Sequence, residues 1–280
     1  MYKQLEKEYA EYVKSKFAVS CNTGTAALHL ALLALDIGKG DEVITADFSM
    51  AACGFAISYT GATPVFVDCD DTLNIDVDLI ESKITKRTKA IMAVHIYGRL
   101  CNMKRIKEIA DKHNLYIIED ASEAHGAVFK SVADVTCYSF YQNKIIHAEE
   151  GGICTTDNKI LADRMNYFKN MAFDREHTYY HAHIGFNYRM PDSQAKLALE
   201  SLRNVDKELA RRRKIEREFN KIHKMPPRDV VWVLDTVHNL PFKGETRPFF
   251  KPLSSMPMWG GKCTSPKAEY YSKIGKYYKL

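Results

Sequence analysis

With 280 residues, 46% hydrophobic and 27% charged side chains, the chain can bury a sizeable core and reads as globular rather than disordered or fibrous. No apolar run reaches the roughly 20 residues that span a bilayer, and Met1 to Lys16 alternates charge with apolar residues unlike a signal peptide, so a cytoplasmic location and no membrane partner are expected. The net charge of +5 is uneven, with 18 Lys/Arg against 8 Asp/Glu from residue 201 onward and 22 against 27 before it. The basic end suits either an anionic ligand or, at Arg211-Arg212-Arg213-Lys214, the solvated face of a helix; no nucleic-acid-binding motif is present, so no nucleic-acid partner is expected.

Taken in order, residues 3 to 15 have the spacing of an amphipathic helix, with Leu5, Tyr9, Tyr12 and Val13 on one face. A short strand at Phe17 to Ser20 leads into Asn22-Thr23-Gly24-Thr25-Ala26. That polar turn opens a helix through Leu35 so apolar that it must be buried. Strands are expected at 41–45, 64–67, 90–95 and 115–119, and helices at 50–59, 77–87 and 103–112. This alternation predicts a mainly parallel sheet between layers of helices, with ligands at the carboxyl ends of the strands. The run from Val135 to Tyr141 reads as another buried strand, followed by a polar turn that carries Lys144 and closes at Gly151-Gly152. Then come a strand at 153–155, a helix to Lys169, an aromatic and His-rich loop at 174–183, and one long helix from about Asp192 to Lys221. Met225-Pro226-Pro227 breaks that helix. Strand-like runs at 230–237 and 246–250 follow. The expected division is a large domain over residues 1–200 and a small C-terminal α/β subdomain over 201–280.

Three stretches combine into one chemistry. The turn at Gly24, Thr25 and Ala26 offers backbone N–H groups and a hydroxyl at a helix N-terminus, which suits a phosphate and equally a plain helix cap. Asp120 ends an apolar strand, where it would either cap a turn or hold a proton on a ring nitrogen. Lys144 offers an amine, which needs desolvation or nearby positive charge to be free at neutral pH. An aldehyde-reactive amine, a phosphate cradle and a carboxylate for a pyridinium nitrogen are what pyridoxal 5'-phosphate requires. Ser139 joins the phosphate contacts, and Glu123, one helical turn beyond Asp120, would reach the ring hydroxyl. The seven cysteines include no Cys-x-x-Cys pair and no metal-like grouping with histidine. They read as reduced, mostly buried thiols, and no metal is expected.

With those residues in place, the chain resembles the DegT-type sugar-nucleotide aminotransferases, within the fold-type I pyridoxal phosphate enzymes. The resemblance runs in order through residues 22–28, Tyr59-Thr60-Gly61-Ala62-Thr63-Pro64, His95-Ile96-Tyr97-Gly98, Ile118-Glu119-Asp120-Ala121-Ser122-Glu123-Ala124-His125-Gly126, Ser139 to Lys144, Glu150-Gly151-Gly152, Asn187-Tyr188-Arg189-Met190 and Arg247-Pro248-Phe249-Phe250. The form of the Asp120 and Arg247 stretches is most similar to the perosamine synthase branch, which aminates a GDP-linked 4-keto-6-deoxy sugar. The resemblance implies a three-layer α/β/α fold with Lys144 as the Schiff-base lysine and proton carrier and Asp120 as the pyridinium partner. It also implies phosphate contacts at Thr25, Ala26 and Ser139, glutamate as amino donor, and a homodimer with shared sites in which Asn187 reaches the neighbouring cofactor. Tyr97 and Arg247 are expected at the sugar nucleotide, or else in the packed sheet and at the surface, and His95 and His125 are open in the same way.

The chain also departs from that pattern. Met50 stands where an aromatic residue often stacks on the cofactor. His147-Ala148-Glu149 replaces the usual Thr-Thr-Gly, bringing a charge close to the expected site. The segment between Ala127 and Ala133 is short, the chain begins inside the usual first core helix, and the stretch from Val237 to Gly244 leaves no room for a customary helix. On these features a trimmed family member is expected. The competing expectation is a catalytically impaired relative that binds cofactor or sugar nucleotide, or supports a full-length enzyme.

Overall fold

A computed structural model describes the chain except for residues 128–129, 175, 178, 224–227 and 238–244. Among the described residues the strands are β1 (Phe17–Cys21), β2 (Glu42–Ala46), β3 (Thr63–Val67), β4 (Thr88–Val94), β5 (Tyr116–Asp120), β6 (Val135–Ser139), β7 (Gly152–Thr156), β8 (Leu234–Thr236), β9 (Thr246–Pro248) and β10 (Lys276–Tyr278). The helices are α1 (Tyr2–Val13), α2 (Gly24–Ala34), α3 (Ala52–Tyr59), α4 (Val77–Ile80), α5 (Met103–His113), α6 (Lys159–Lys169), α7 (Asp192–Arg203), α8 (Val205–His223) and α9 (Pro266–Ile274).

Seven strands form one sheet in the order β1-β7-β6-β5-β4-β2-β3. The pairs from β3 through β6 are parallel, whereas β7 runs antiparallel to both β6 and β1. Side-chain alternation explains why helices cover both faces. Along β4, Ala90, Met92 and Val94 join the apolar cluster that holds α1 and α2, while Ile91 and Ala93 join the cluster with Ile106 and Ile109 of α5. Helix α2 is apolar nearly all round and is correspondingly buried.

Past the sheet, β8, β10 and β9 make a small antiparallel sheet. Two aspartates at the carboxyl ends of β2 and β3 tie this part of the chain to the large sheet. Asp47 accepts the Ser254 amide at 2.7 Å and its hydroxyl at 2.6 Å. Asp68 accepts the first amides of α9, from Lys267 at 2.9 Å and Ala268 at 2.8 Å, so its charge caps that helix from 200 residues away in sequence. Buried Asp235 pairs with Arg99 at 3.0 Å and with Arg228 at 2.7 Å. The main apolar cluster therefore runs from Leu5 to Trp232, Phe249 and Tyr277 without interruption by the small sheet.

Three local readings differ from the structure. The long helix expected from Asp192 to Lys221 is two helices, because the Asn204 side chain donates to the Glu200 carbonyl at 2.9 Å and competes with the helical ladder. The helix expected over 77–87 stops early: the Thr85 amide is taken by the Thr88 hydroxyl at 2.9 Å, and Ile84 is already extended. The strand-like run at 230–237 pairs only over Leu234–Thr236. Helix α9 and β10 have no counterpart among the elements expected from the sequence. The Met225-Pro226-Pro227 break and nearly all of the Val237–Gly244 stretch lie outside the described residues, as do parts of the 127–133 and 174–183 segments.

Candidate active site

The parallel strands end side by side, and the residues at those ends line a cavity of about 510 Å³. Thr23, Gly24 and Thr25 follow β1, Asp120 closes β5, Ser139 closes β6, and Lys144 arrives on the turn beyond it. Met50, Glu123 and Arg247 of the expected set also line this cavity. Ala26, Tyr97 and Asn187 do not.

Thr23 is the N-cap of α2, its hydroxyl accepting the Ala26 amide at 3.0 Å. The Ala26 N–H is thus engaged, and the cavity wall is made by Gly24 and Thr25 at the positive end of the helix. Glycine at 24 is a matter of space: a Cβ there would lie 2.6 Å from Ser139 Cβ and 2.9 Å from Ser139 Oγ. Ser139 is held from behind by His125, whose Nε2–H donates to its carbonyl at 2.8 Å while Nδ1 accepts the Tyr9 hydroxyl at 2.9 Å. Burial pushes His125 down to about 3, so the imidazole is neutral, as those two bonds require. His95 is likewise internal, its Nε2 facing Glu119 at 2.8 Å and its Nδ1 accepting the Cys101 amide at 3.1 Å.

Asp120 is buried and fixed on both oxygens. Oδ1 accepts the Ser122 amide at 3.0 Å and Oδ2 the Cys53 thiol at 3.3 Å. Burial, and then the Asp120 charge, push the Cys53 thiol well above its ordinary range, so it stays a donor. Glu123 is pushed up to about 7 by burial, an effect that Lys144 and the Tyr97 amide only partly offset. Its Oε2 accepts that amide at 2.8 Å, and its Oε1 lies 3.7 Å from Lys144 Nζ.

The Lys144 side chain is 12% exposed. Besides Glu123, its ammonium meets the face of Trp232, 3.9 Å from the ring centroid. Trp232 Nε1 in turn donates to the Asn143 carbonyl at 2.9 Å. Tyr97 lies beneath, wholly buried, with ring centroids 6.1 Å from Trp232 and 5.3 Å from Phe250. Its backbone holds Glu123 and its ring supports the cavity floor. Asn187 is exposed, on the segment whose Tyr188 carbonyl takes the Asn22 amide at 2.9 Å.

Trp232, Phe250, Tyr277, Tyr141 and Glu150 also line the cavity. Sequence reasoning missed these roles, and for Cys53 and Trp232 no local signal marks them. The charge expected near the site at Glu149 faces elsewhere, into a separate cavity against α7, and it is Glu150 that meets the Lys144 cavity. All seven cysteines are free, six of them buried. Among the described residues no group of three His, Cys, Asp or Glu could hold a metal ion, and no helix is long and apolar enough to cross a membrane.

The model of the DegT/DnrJ/EryC1/StrS aminotransferase family matches residues 1–237. The chain is 40% identical to a GDP-perosamine synthase of Caulobacter vibrioides over 93% of its own length and 79% of that protein, and 39% identical to one of Escherichia coli O157:H7 over 92% and 79%. In structure it superposes on S. venezuelae DesV, determined in complex with a ketimine intermediate, with a TM-score of 0.90 and 30% identity, covering 100% of this chain and 83% of DesV.

Proposed function

The chain belongs to the DegT/DnrJ/EryC1/StrS aminotransferase family, a family of pyridoxal phosphate-dependent sugar aminotransferases, and on that premise we propose that it transfers an amino group from glutamate to a GDP-linked 4-keto-6-deoxy sugar. The observation that carries the reading is the placement of the Lys144 amine and the buried Asp120 carboxylate in one cavity, with the N-terminus of α2 at its wall.

The residues fit pyridoxal 5'-phosphate. Its phosphate suits Gly24, Thr25 and Ser139, where the absence of a Cβ at residue 24 leaves the α2 amides close to Ser139. Its ring nitrogen suits Asp120, and its ring hydroxyl suits Glu123. Met50 offers an apolar surface to the ring. When bound, the group supplies an aldehyde for amines and a ring that accepts electron density.

The chain's own part is to hold charge and move protons. Asp120, fixed by Ser122 and Cys53, keeps a proton at the ring nitrogen. Lys144 Nζ takes and returns the proton at the substrate carbon that carries the amine. Arg247, exposed at the cavity edge, meets the anionic nucleotide. Asn187, outside this cavity, is assigned to the site of a second copy in a homodimer.

The test is glutamate-dependent conversion of candidate nucleotide-linked 4-keto-6-deoxy sugars, followed by mass spectrometry. A gain of one amino group on the GDP-linked sugar is expected. A protein that colours with cofactor but neither bleaches with glutamate nor aminates any sugar is a binding protein instead.

A further inference from the structure

Four contacts close a ring around the Lys144 amine. Glu123 Oε1 lies 3.7 Å from Nζ, the Tyr97 amide fixes Glu123 Oε2 at 2.8 Å, Tyr97 stacks on Trp232 at 29° between planes, and Trp232 returns to Nζ at 3.9 Å. The indole cannot turn away cheaply. It is 3% exposed, its N–H is tied to the Asn143 carbonyl beside Lys144, and Tyr277 packs on it at 6.1 Å. An aromatic face on one side and a carboxylate on the other form a site for an ammonium.

The geometry points to Trp232 as a positioning residue for Lys144: its ring and the Glu123 carboxylate dock the amine as an ammonium whenever it is not bonded to another group. This rests on the role of Lys144 proposed above, which requires the amine to leave and return at a fixed place during each turnover. Trp232 arrives from the C-terminal part of the chain, held there by the Val230–Gly98 backbone bond at 3.0 Å. The dock therefore couples the packing of that part to the position of the lysine.

Trace acetylation of Lys144 by acetic anhydride, followed against pH in the cofactor-free protein by peptide mass spectrometry, reads the dock directly. Only the unprotonated amine attacks, displacing acetate and losing its proton to solvent. Asp120, Glu150, Arg247, Tyr141 and Tyr277 also face the cavity and His125 lies behind it, so the variants change Trp232 alone. Trp232→Leu is expected to move the midpoint of the profile down by about half to one pH unit, raising acetylation below the midpoint roughly three- to tenfold. Trp232→Phe, which keeps a ring face but loses the Asn143 bond, restores most of the midpoint. A faster rate in Trp232→Leu with an unmoved midpoint reports access alone and overturns the inference, as does a Trp232→Phe profile indistinguishable from a shifted Trp232→Leu one. Because no cofactor is present, the outcome is separate from whether the protein binds or uses one.

Discussion

The Cys53 thiol donates to Asp120 Oδ2 at 3.3 Å, and the Ser122 amide occupies the carboxylate's other oxygen at 3.0 Å. Cys53 is wholly buried and Ser49 is its other neighbour, at 3.4 Å. Replacing Cys53 by Val removes a donor from a buried carboxylate and adds about one methyl group of volume. Pyridoxal phosphate affinity, titrated by absorbance, is predicted to weaken roughly fivefold, about 1 kcal/mol, while Cys53→Ser stays near the parent. Equal affinities for the Val and Ser variants would show that the thiol does not orient Asp120.

Gly24→Ala places a methyl group 2.6 Å from Ser139 Cβ. Either α2 or the end of β6 must move, and overpacking of this kind costs about 1–3 kcal/mol. Urea unfolding should register that loss, accompanied by weaker binding of the cofactor phosphate. Unchanged stability and binding would mean that the close approach of α2 to Ser139 is unnecessary.

Much of this was legible in the sequence, for identifiable reasons. Near-continuous apolar, β-rich runs located β4 and β5, because both faces of these strands are covered, and uniform apolarity located α2, because a helix apolar all round has to be buried. Asp120 stood out because it ends an apolar run with a charged group, and Lys144 because it sits on the polar turn just past one. What escaped is what comes from distance in sequence. Cys53 meets Asp120 across 67 positions and Trp232 meets Asn143 across 89, and neither pairing leaves a local pattern. Tyr97 shows the same limit in reverse: its motif is visible, yet only packing against Trp232 and Phe250 reveals that the ring lies under the cavity.

Glu123 titrates at about 7 in the fold against an ordinary value of 4.5. Since the folded state binds the proton more tightly, the stability it contributes is complete below pH 4.5 and is lost as pH rises through 7, by on the order of 3 kcal/mol. Glu123→Gln keeps an acceptor for the Tyr97 amide without that proton. Its stability relative to the parent should therefore increase from pH 5 to pH 8, measured by denaturant titration; a constant difference would contradict the assignment.

His125 has the opposite sign. Burial pushes it down to about 3, so the stability it contributes is present above about 6.5 and disappears as pH falls toward 3, by on the order of 5 kcal/mol. His125→Gln loses some stability at neutral pH through the Tyr9 and Ser139 bonds. It should nevertheless show a flatter decline between pH 6.5 and 4 than the parent.

The proposed chemistry turns on one amine. Borohydride reduction of the protein incubated with pyridoxal phosphate, followed by peptide mass spectrometry, should place the pyridoxyl group on Lys144 alone, and Lys144→Ala should carry none. Label spread over surface lysines, or undiminished in Lys144→Ala, would contradict it.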